Sequence, residues 1–257
     1  ENITKAQAEE ADQAELKSIY DFKVYTEAPD KGQRYEETRF VRKRKSPTKV
    51  KSRLVVKQLR AKTKHIYDRD DLYASTPSFA SLRLLLVLAL ALGLYIYSCD
   101  VSTAFLHADL PEEHTTYVKP PWPWAKEGVL WKLRKALYGL RTAPAAWQNH
   151  FAKVVTEQMG MTRSKYDANV YFNKHCWILV HVDDIMIMGT VEGCEETIRK
   201  LQEHLLLKTT GNLNEEGSTM TFLGRLMRRV GDSIQFIIED CYYAKMFEDA
   251  DIDTSRA

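Results

Sequence analysis

Apolar and polar positions alternate along this chain with two periods, and the switches between them outline its elements. Ala6 to Tyr20 has the spacing of an amphipathic helix, and residues 81–92 form a second, strongly apolar one. Trp147, Phe151, Val154 and Val155 mark a third helical stripe, opened by Thr142 as N-cap with Pro144 in its first turn and closed by Gly160. Ile198, Leu201 and Leu205 give a fourth face, and a last helix begins near Tyr242. Short β-rich runs lie at Phe22–Tyr25, Trp131–Leu133, Met220–Leu226 and Ile234–Ile238. Turns are expected at Pro29-Asp30-Lys31-Gly32, at Pro111 and in Pro120-Pro121-Trp122-Pro123-Trp124. Helices and hairpins mix without regular strand–helix alternation, which predicts an α+β domain whose antiparallel sheet carries helices on one face.

The longest apolar run, Leu84 to Tyr97, spans 14 residues including Gly93, short of the roughly 18–20 that cross a bilayer. It reads as a buried helix running into a strand. A length of 257 residues with 44% apolar content supports a sizeable core.

Net charge is only +2, but its distribution is uneven. Residues 1–30 carry eight acids against three bases, whereas residues 39–64 carry twelve Lys or Arg and no acid. Phe40, Val41 and Leu54-Val55-Val56 interrupt that basic run, so it reads as a folded β-ribbon attractive to a phosphate backbone. Cys99, Cys176, Cys194 and Cys241 lack paired or metal-ligand spacing and read as reduced thiols. The chain shows no signal peptide and starts at Glu1, the reading expected of an excerpt from a longer product.

The chemistry concentrates between Trp177 and Gly189, where two β-friendly runs flank Asp183-Asp184. Adjacent buried carboxylates call for a compensating cation, and a hard divalent ion takes one or two of them plus substrate phosphates. Eighty-three residues upstream, a second β-rich run ends in Asp100. Two strands ending in acid can pool three carboxylates, a set suited to two ions in phosphoryl or nucleotidyl transfer. An ordinary hairpin with an acidic turn remains the alternative from these residues alone.

Six collinear stretches resemble the reverse transcriptases of copia-type LTR retrotransposons, over roughly residues 15 to 250. Lys51-Ser52-Arg53-Leu54-Val55-Val56-Lys57 resembles the basic fingers motif, and Ser81-Leu82-Arg83-Leu84-Leu85-Leu86 the helix before the first catalytic strand. Asp100-Val101-Ser102-Thr103-Ala104-Phe105-Leu106-His107 resembles the first-aspartate motif. Leu133 to Pro144, containing Leu137-Tyr138-Gly139-Leu140, is similar to the family's most distinctive signature. His181-Val182-Asp183-Asp184 stands where the family has Tyr-Val-Asp-Asp, and Phe222-Leu223-Gly224 resembles the primer-grip turn.

The resemblance implies a right-hand polymerase fold: fingers, a palm whose antiparallel sheet is backed by helices, and a thumb only partly present. The domain would fill residues 1–257, with 1–30 a helical lead-in and 31–80 and 111–143 fingers. Residues 81–110 and 144–238 would be palm, and 239–257 the start of a thumb. Asp100, Asp183 and Asp184 would bind two Mg²⁺ (or Mn²⁺) ions and carry catalysis. Arg53, Lys51, Lys57, Val101, Phe105, Tyr138 and Gly139 would meet the nucleotide, with Phe105 as an aromatic gate against a ribose 2′-hydroxyl. His181, Leu223 and Gly224 would meet the primer. The implied partners are an RNA template, a DNA primer–template duplex, dNTPs and the remainder of a Gag-Pol-like polyprotein with integrase and RNase H. No membrane is among them, and the implied location is intracellular, in a cytoplasmic particle or the nucleus.

Two positions depart from the family pattern. His181 replaces tyrosine, an imidazole that packs less area and changes charge near neutral pH. Gln58 stands in place of glycine, where a positive φ would be strained. The competing readings are a decayed or truncated copy that only binds nucleic acid, and an unrelated two-metal nuclease; the latter leaves the basic ribbon and the Leu137-Tyr138-Gly139-Leu140 signature without a role.

Overall fold

The computed structural model describes residues 3–59, 66–238 and 240–250. The chain divides into two compact units, residues 1–74 with 103–154, and residues 75–102 with 155–257.

The first unit opens with helix α1 (Lys5–Asp21), whose Thr4 side chain and Gln7 form a reciprocal capping box. Strand β1 (Tyr25–Pro29) follows, and then a hairpin of β2 (Thr38–Ser46) and β3 (Lys49–Val56). A one-turn helix α2 (Arg69–Leu72) comes next; Gln58 to Leu59 leads toward it, and residues 60–65 of the basic stretch lie outside the described residues. Strands β5 (Tyr117–Val118) and β6 (Val129–Leu133) join β1 in a three-stranded antiparallel sheet ordered β1-β6-β5. Tyr25 stacks on Trp131 within it, their rings 3.8 Å apart. Helix α4 (Ala143–Lys153) closes the unit.

From Thr38 to Val56 the basic run is a β-ribbon, with Phe40 opposite Leu54 and Val41 opposite Arg53. The expected strand at Phe22–Tyr25 instead begins at Tyr25. Lys23 adopts φ +53°, a left-handed residue that ends the helical segment and turns the chain before pairing starts. Thr142 does precede the α4 helix, but it caps nothing with its side chain, and Pro lies in the first turn as expected.

The second unit holds helix α3 (Phe79–Ala91) and strand β4 (Tyr95–Val101). Strands β7 (Thr162–Arg163), β8 (Val170–Phe172), β9 (Cys176–His181) and β10 (Asp184–Gly189) follow, then helix α5 (Val191–His204) and β11 (Leu207–Asn212). Six strands form one antiparallel sheet in the order β11-β4-β10-β9-β8-β7. A separate three-stranded sheet consists of β12 (Thr219–Phe222), β13 (Arg225–Val230) and β14 (Ser233–Ile237), before helix α6 (Asp240–Asp249).

Strand β10 explains how this unit is layered. Ile185 through Gly189 are buried on both faces of the strand, so each face needs a cover. Met186 and Met188 pack with Leu82, Leu85, Leu86 and Ala89 of α3 and with Met220, Phe222 and Met227 of the small sheet. The opposite face takes α5, whose Cys194 thiol lies 3.9 Å from the Tyr95 carbonyl. Helices therefore cover both faces, and the expectation of helices on one face is corrected: a central strand without polar alternation cannot leave a face to water.

Two further expectations are revised. Met220–Leu226 is not one strand but two, folded at Leu223-Gly224. The buried face of α5 is Gly193, Cys194, Thr197 and Leu201, with Ile198 only half-buried beside it. Cys99, Cys176 and Cys194 are buried and unbridged, and burial pushes the Cys99 thiol up to about 11. The Cys241 side chain lies outside the described set. Among the described residues no helix is long and apolar enough to cross a membrane.

Candidate active site

The β9–β10 hairpin sets out the acids. His181 pairs with Asp184 across it, leaving Val182-Asp183 as a two-residue turn. Val182 takes φ +52°, a left-handed conformation that β-branched residues rarely adopt. Positive φ at the first central residue is the II′ pattern whose twist suits a hairpin. Glycine is the usual residue there, so the valine stores strain of about 1–3 kcal/mol. Asp183 sits exposed in the turn, and its carbonyl accepts a 2.8 Å bond from the Val101 N–H. That bond ties the acidic turn to the end of β4.

Asp184 and Asp100 are direct partners across β10 and β4, and Lys208 of β11 is the partner of Asp100 on its other side. Side chains of opposed residues lie on one face. The sheet therefore carries a row Lys208, Asp100, Asp184, His181, two acids between two nitrogen bases. Burial, and then the charges of Asp183 and Asp100, hold the Asp184 carboxyl above its ordinary range, while His181 pulls it down. The Nδ1 of His181 is itself buried without a hydrogen-bond partner.

These residues meet the requirements of a divalent ion in part. The donor set is hard oxygen, and Asp184 is repelled by two like charges that a cation would offset. Among the described residues no three His, Cys, Asp or Glu side chains already stand at metal-holding spacing. The three carboxylates are thus electrostatically coupled without forming a closed ligand shell. Asp183, exposed in its turn, is the member free to reorient.

The primer-grip candidates occupy a second tight turn. Phe222 pairs with Arg225, and Leu223 (φ +53°) and Gly224 (φ +67°) both lie in the left-handed region, the I′ geometry of a two-residue hairpin.

In the first unit, three of the nucleotide candidates touch one another. The Arg53 guanidinium lies 4.8 Å from the Tyr138 ring centre, and Tyr138 meets Phe105 edge-on at 5.2 Å. Arg53 Nη1 also donates to Glu15 Oε2 at 2.9 Å. Gly139 takes φ +86°, and a side chain there would overlap the Val56 carbonyl oxygen, so the signature glycine answers to a close backbone approach. The Val56 N–H donates to the Tyr138 carbonyl at 2.8 Å in the same contact. Gln58 keeps a negative φ; its Oε1 accepts the Arg141 N–H at 2.7 Å and its Nε2 donates to Tyr67 at 3.0 Å. The positive φ feared at this position is not needed. Lys51 and Lys57 are exposed, and the Val101 side chain is buried at the end of β4.

Sequence reasoning missed Lys208 and Glu15. Lys208 lies in a strand of polar residues with little apolar signal, and Glu15 reaches its partner across 38 positions.

An antiparallel sheet bearing paired aspartates at a strained hairpin, in a chain whose other unit carries a basic ribbon, is the set of parts expected of a nucleic-acid polymerase. The chain belongs to the reverse transcriptase (RNA-dependent DNA polymerase) family, which matches it over residues 22–256, and its relatives are of the copia type. It is similar to the retrovirus-related Pol polyprotein from transposon TNT 1-94 of Nicotiana tabacum, 31% identical over 95% of the chain and 19% of that protein. It is also similar to the Ty1-DR4 Gag-Pol polyprotein of Saccharomyces cerevisiae, 32% identical over 46% of the chain and 7% of that protein. The chain thus spans at most about a fifth of these relatives' lengths. A foamy viral protease-reverse transcriptase, solved in complex with dsDNA, shares the fold: TM-score 0.54, 16% identity, covering 99% of this chain and 45% of that one.

Proposed function

We propose that the chain is the primer-extending domain of a retrotransposon polyprotein, copying an RNA template into DNA from dNTPs. The observation carrying this reading is the opposition of Asp100 and Asp184 across β4 and β10, with Asp183 in the adjoining turn. On this reading the second unit holds most of the palm, the first holds the fingers together with residues 103–110 and 144–154 of the palm, and α6 begins a thumb.

Asp100, Asp183 and Asp184 would hold two Mg²⁺ or Mn²⁺ ions. Such ions, when bound, supply Lewis-acid activation of the primer 3′-hydroxyl and stabilise charge on the transferred phosphoryl group. The chain's own part is to orient. The II′ turn and the bond from Val101 fix where the Asp183 backbone lies, and the β10–β4 pairing fixes Asp184 against Asp100. Leu223-Gly224 presents backbone to the primer strand, and His181 presents an imidazole beside Asp184. Arg53, with Lys51 and Lys57 on the same ribbon, supplies cations for the triphosphate. Tyr138 backs Arg53, and Phe105 excludes a 2′-hydroxyl by its bulk.

Primer extension on poly(rA)·oligo(dT) with dTTP and Mg²⁺ or Mn²⁺ tests the proposal. Extension by the parent that is lost in Asp183→Asn supports it. Salt-sensitive binding without extension by either protein would instead identify a domain that holds nucleic acid without copying it.

A further inference from the structure

Helix α1 ends at Asp21, just before the residues that match the reverse transcriptase family begin. It nevertheless supplies two acids to the basic ribbon. Asp12 and Glu15 lie one helical turn apart and are each only 4% exposed. Asp12 accepts two bonds from Arg42, 2.9 Å from Nε and 2.6 Å from Nη2, and one of 2.7 Å from the Ser52 hydroxyl. That bidentate pair anchors the helix on the ribbon. Glu15 makes a different contact. It accepts from Arg53 Nη1 at 2.9 Å and from the Leu54 N–H at 3.3 Å.

Arg53 is thereby held from two sides, by Glu15 at Nη1 and by the Tyr138 ring 4.8 Å from its carbon centre. Nη1 also points at the Ser52 carbonyl, 3.4 Å away. Among the described residues neither Nε nor Nη2 of Arg53 has a hydrogen-bond partner. A guanidinium presents its donors in a rigid fork, so fixing one nitrogen and the ring plane fixes the direction of the others.

We propose that Glu15 is a positioning residue for the incoming nucleotide: it fixes the Arg53 guanidinium so that the Nε–Nη2 edge stays available to a triphosphate. The inference rests on Arg53 being a triphosphate contact. Burial raises the Glu15 carboxyl above its ordinary range in spite of Arg53, so the charged pair is held against its desolvation cost. Asp12 already anchors the helix, and a buried pair kept at such a cost contributes orientation more than stability.

The test measures equilibrium dTTP affinity, with Mg²⁺, for the chain on poly(rA)·oligo(dT) ended by a dideoxynucleotide, so that no turnover intervenes. In Glu15→Gln one carboxylate acceptor becomes an N–H donor, and the dTTP Kd should rise about tenfold. Primer–template affinity should stay unchanged. In an Arg53→Ala background the Glu15→Gln change should add nothing, because its whole effect passes through Arg53. Arg53→Lys, which retains charge but loses the second edge, should bind dTTP as weakly as Arg53→Ala.

An unchanged dTTP Kd in folded Glu15→Gln, with weakened binding in Arg53→Ala, overturns the positioning role and leaves the Arg53 assignment standing. Tighter binding in Glu15→Gln overturns it too, since Glu15 would then compete with the triphosphate. Should Glu15→Gln not fold, parent-like binding by Arg53→Lys overturns the role on its own. Parent-like binding by Arg53→Ala removes the Arg53 assignment and this inference together. No dTTP binding by the parent removes the polymerase reading itself.

Discussion

Asp100 and Asp184 face each other across β4 and β10, with Lys208 and His181 closing the row on either side. The arrangement sets two like charges side by side on a partly buried sheet face, a poor choice for stability and a good one for gathering cations. Replacing Asp184 with Asn should therefore have opposite effects on two measurements. On the proposed reading, which assigns several kcal/mol of transition-state stabilisation to this carboxylate, primer extension should fall on the order of 10³-fold or more. In EDTA the same variant should melt at a higher temperature than the parent. A variant that loses activity and also melts lower in EDTA would show that the acids stabilise the sheet, contrary to this account.

Metal dependence of folding follows from the same row. Mg²⁺ binding only to the folded chain raises the melting temperature, by an amount that grows with the logarithm of its concentration once above Kd. Titrating Mg²⁺ should raise Tm for the parent, and clearly less for Asp100→Asn. Equal shifts in the two proteins would place the stabilising ion elsewhere.

Val182 offers a test of strain. Its φ of +52° suits glycine, so Val182→Gly should relieve about 1 kcal/mol in the turn and leave Tm at or above the parent's. The loosened turn should position Asp183 less well, lowering turnover roughly tenfold. Calorimetry and primer extension on the one variant check both halves. A large loss of stability would mean that the Val182 side chain matters more than its backbone.

Gly139 is a contrast between two glycines of the first unit. Gly128 and Gly139 both have positive φ, but only Gly139 faces another backbone, at Val56. Gly139→Ala should cost about 2–4 kcal/mol, adding overlap to strain, and Gly128→Ala about 1 kcal/mol. Denaturant melts of the pair decide whether the close approach or the φ alone requires glycine.

The β9–β10 hairpin was legible because both of its strands are strongly apolar and flank Asp183-Asp184, and Asp100 lies near the end of a run of the same kind. Strand β11 was not. Leu207–Asn212 is mostly polar, pairs along one edge with β4 and contains a register shift at Gly211, so no period marks it. Lys208 went unseen with it. The Leu223-Gly224 turn was hidden because a leucine in the left-handed region gives no warning, and the two strands read as one. Strand β1 was set too early for a similar reason, at Lys23. The contacts of Asp12 and Glu15 join residues 30 to 40 positions apart, which no local pattern reports.

Glu15 also makes a prediction about pH. Its carboxyl titrates above the ordinary 4.5, burial being the largest cause and the Arg53 charge and Leu54 N–H opposing it. A raised folded-state value means that the folded chain holds this proton more tightly than the unfolded chain does. The resulting stabilisation is fully present below about pH 4.5 and is lost as pH rises through the folded value. Glu15→Gln resembles the protonated form and does not titrate. The parent's Tm minus the variant's should therefore be highest near pH 4 and fall steadily toward pH 7, where the variant should melt at or above the parent. Other groups titrate alike in both proteins and cancel in the difference. Thermal melts of the two chains across this range are sufficient, and a difference that grows with pH would mean that the attraction of Arg53 outweighs burial at this site.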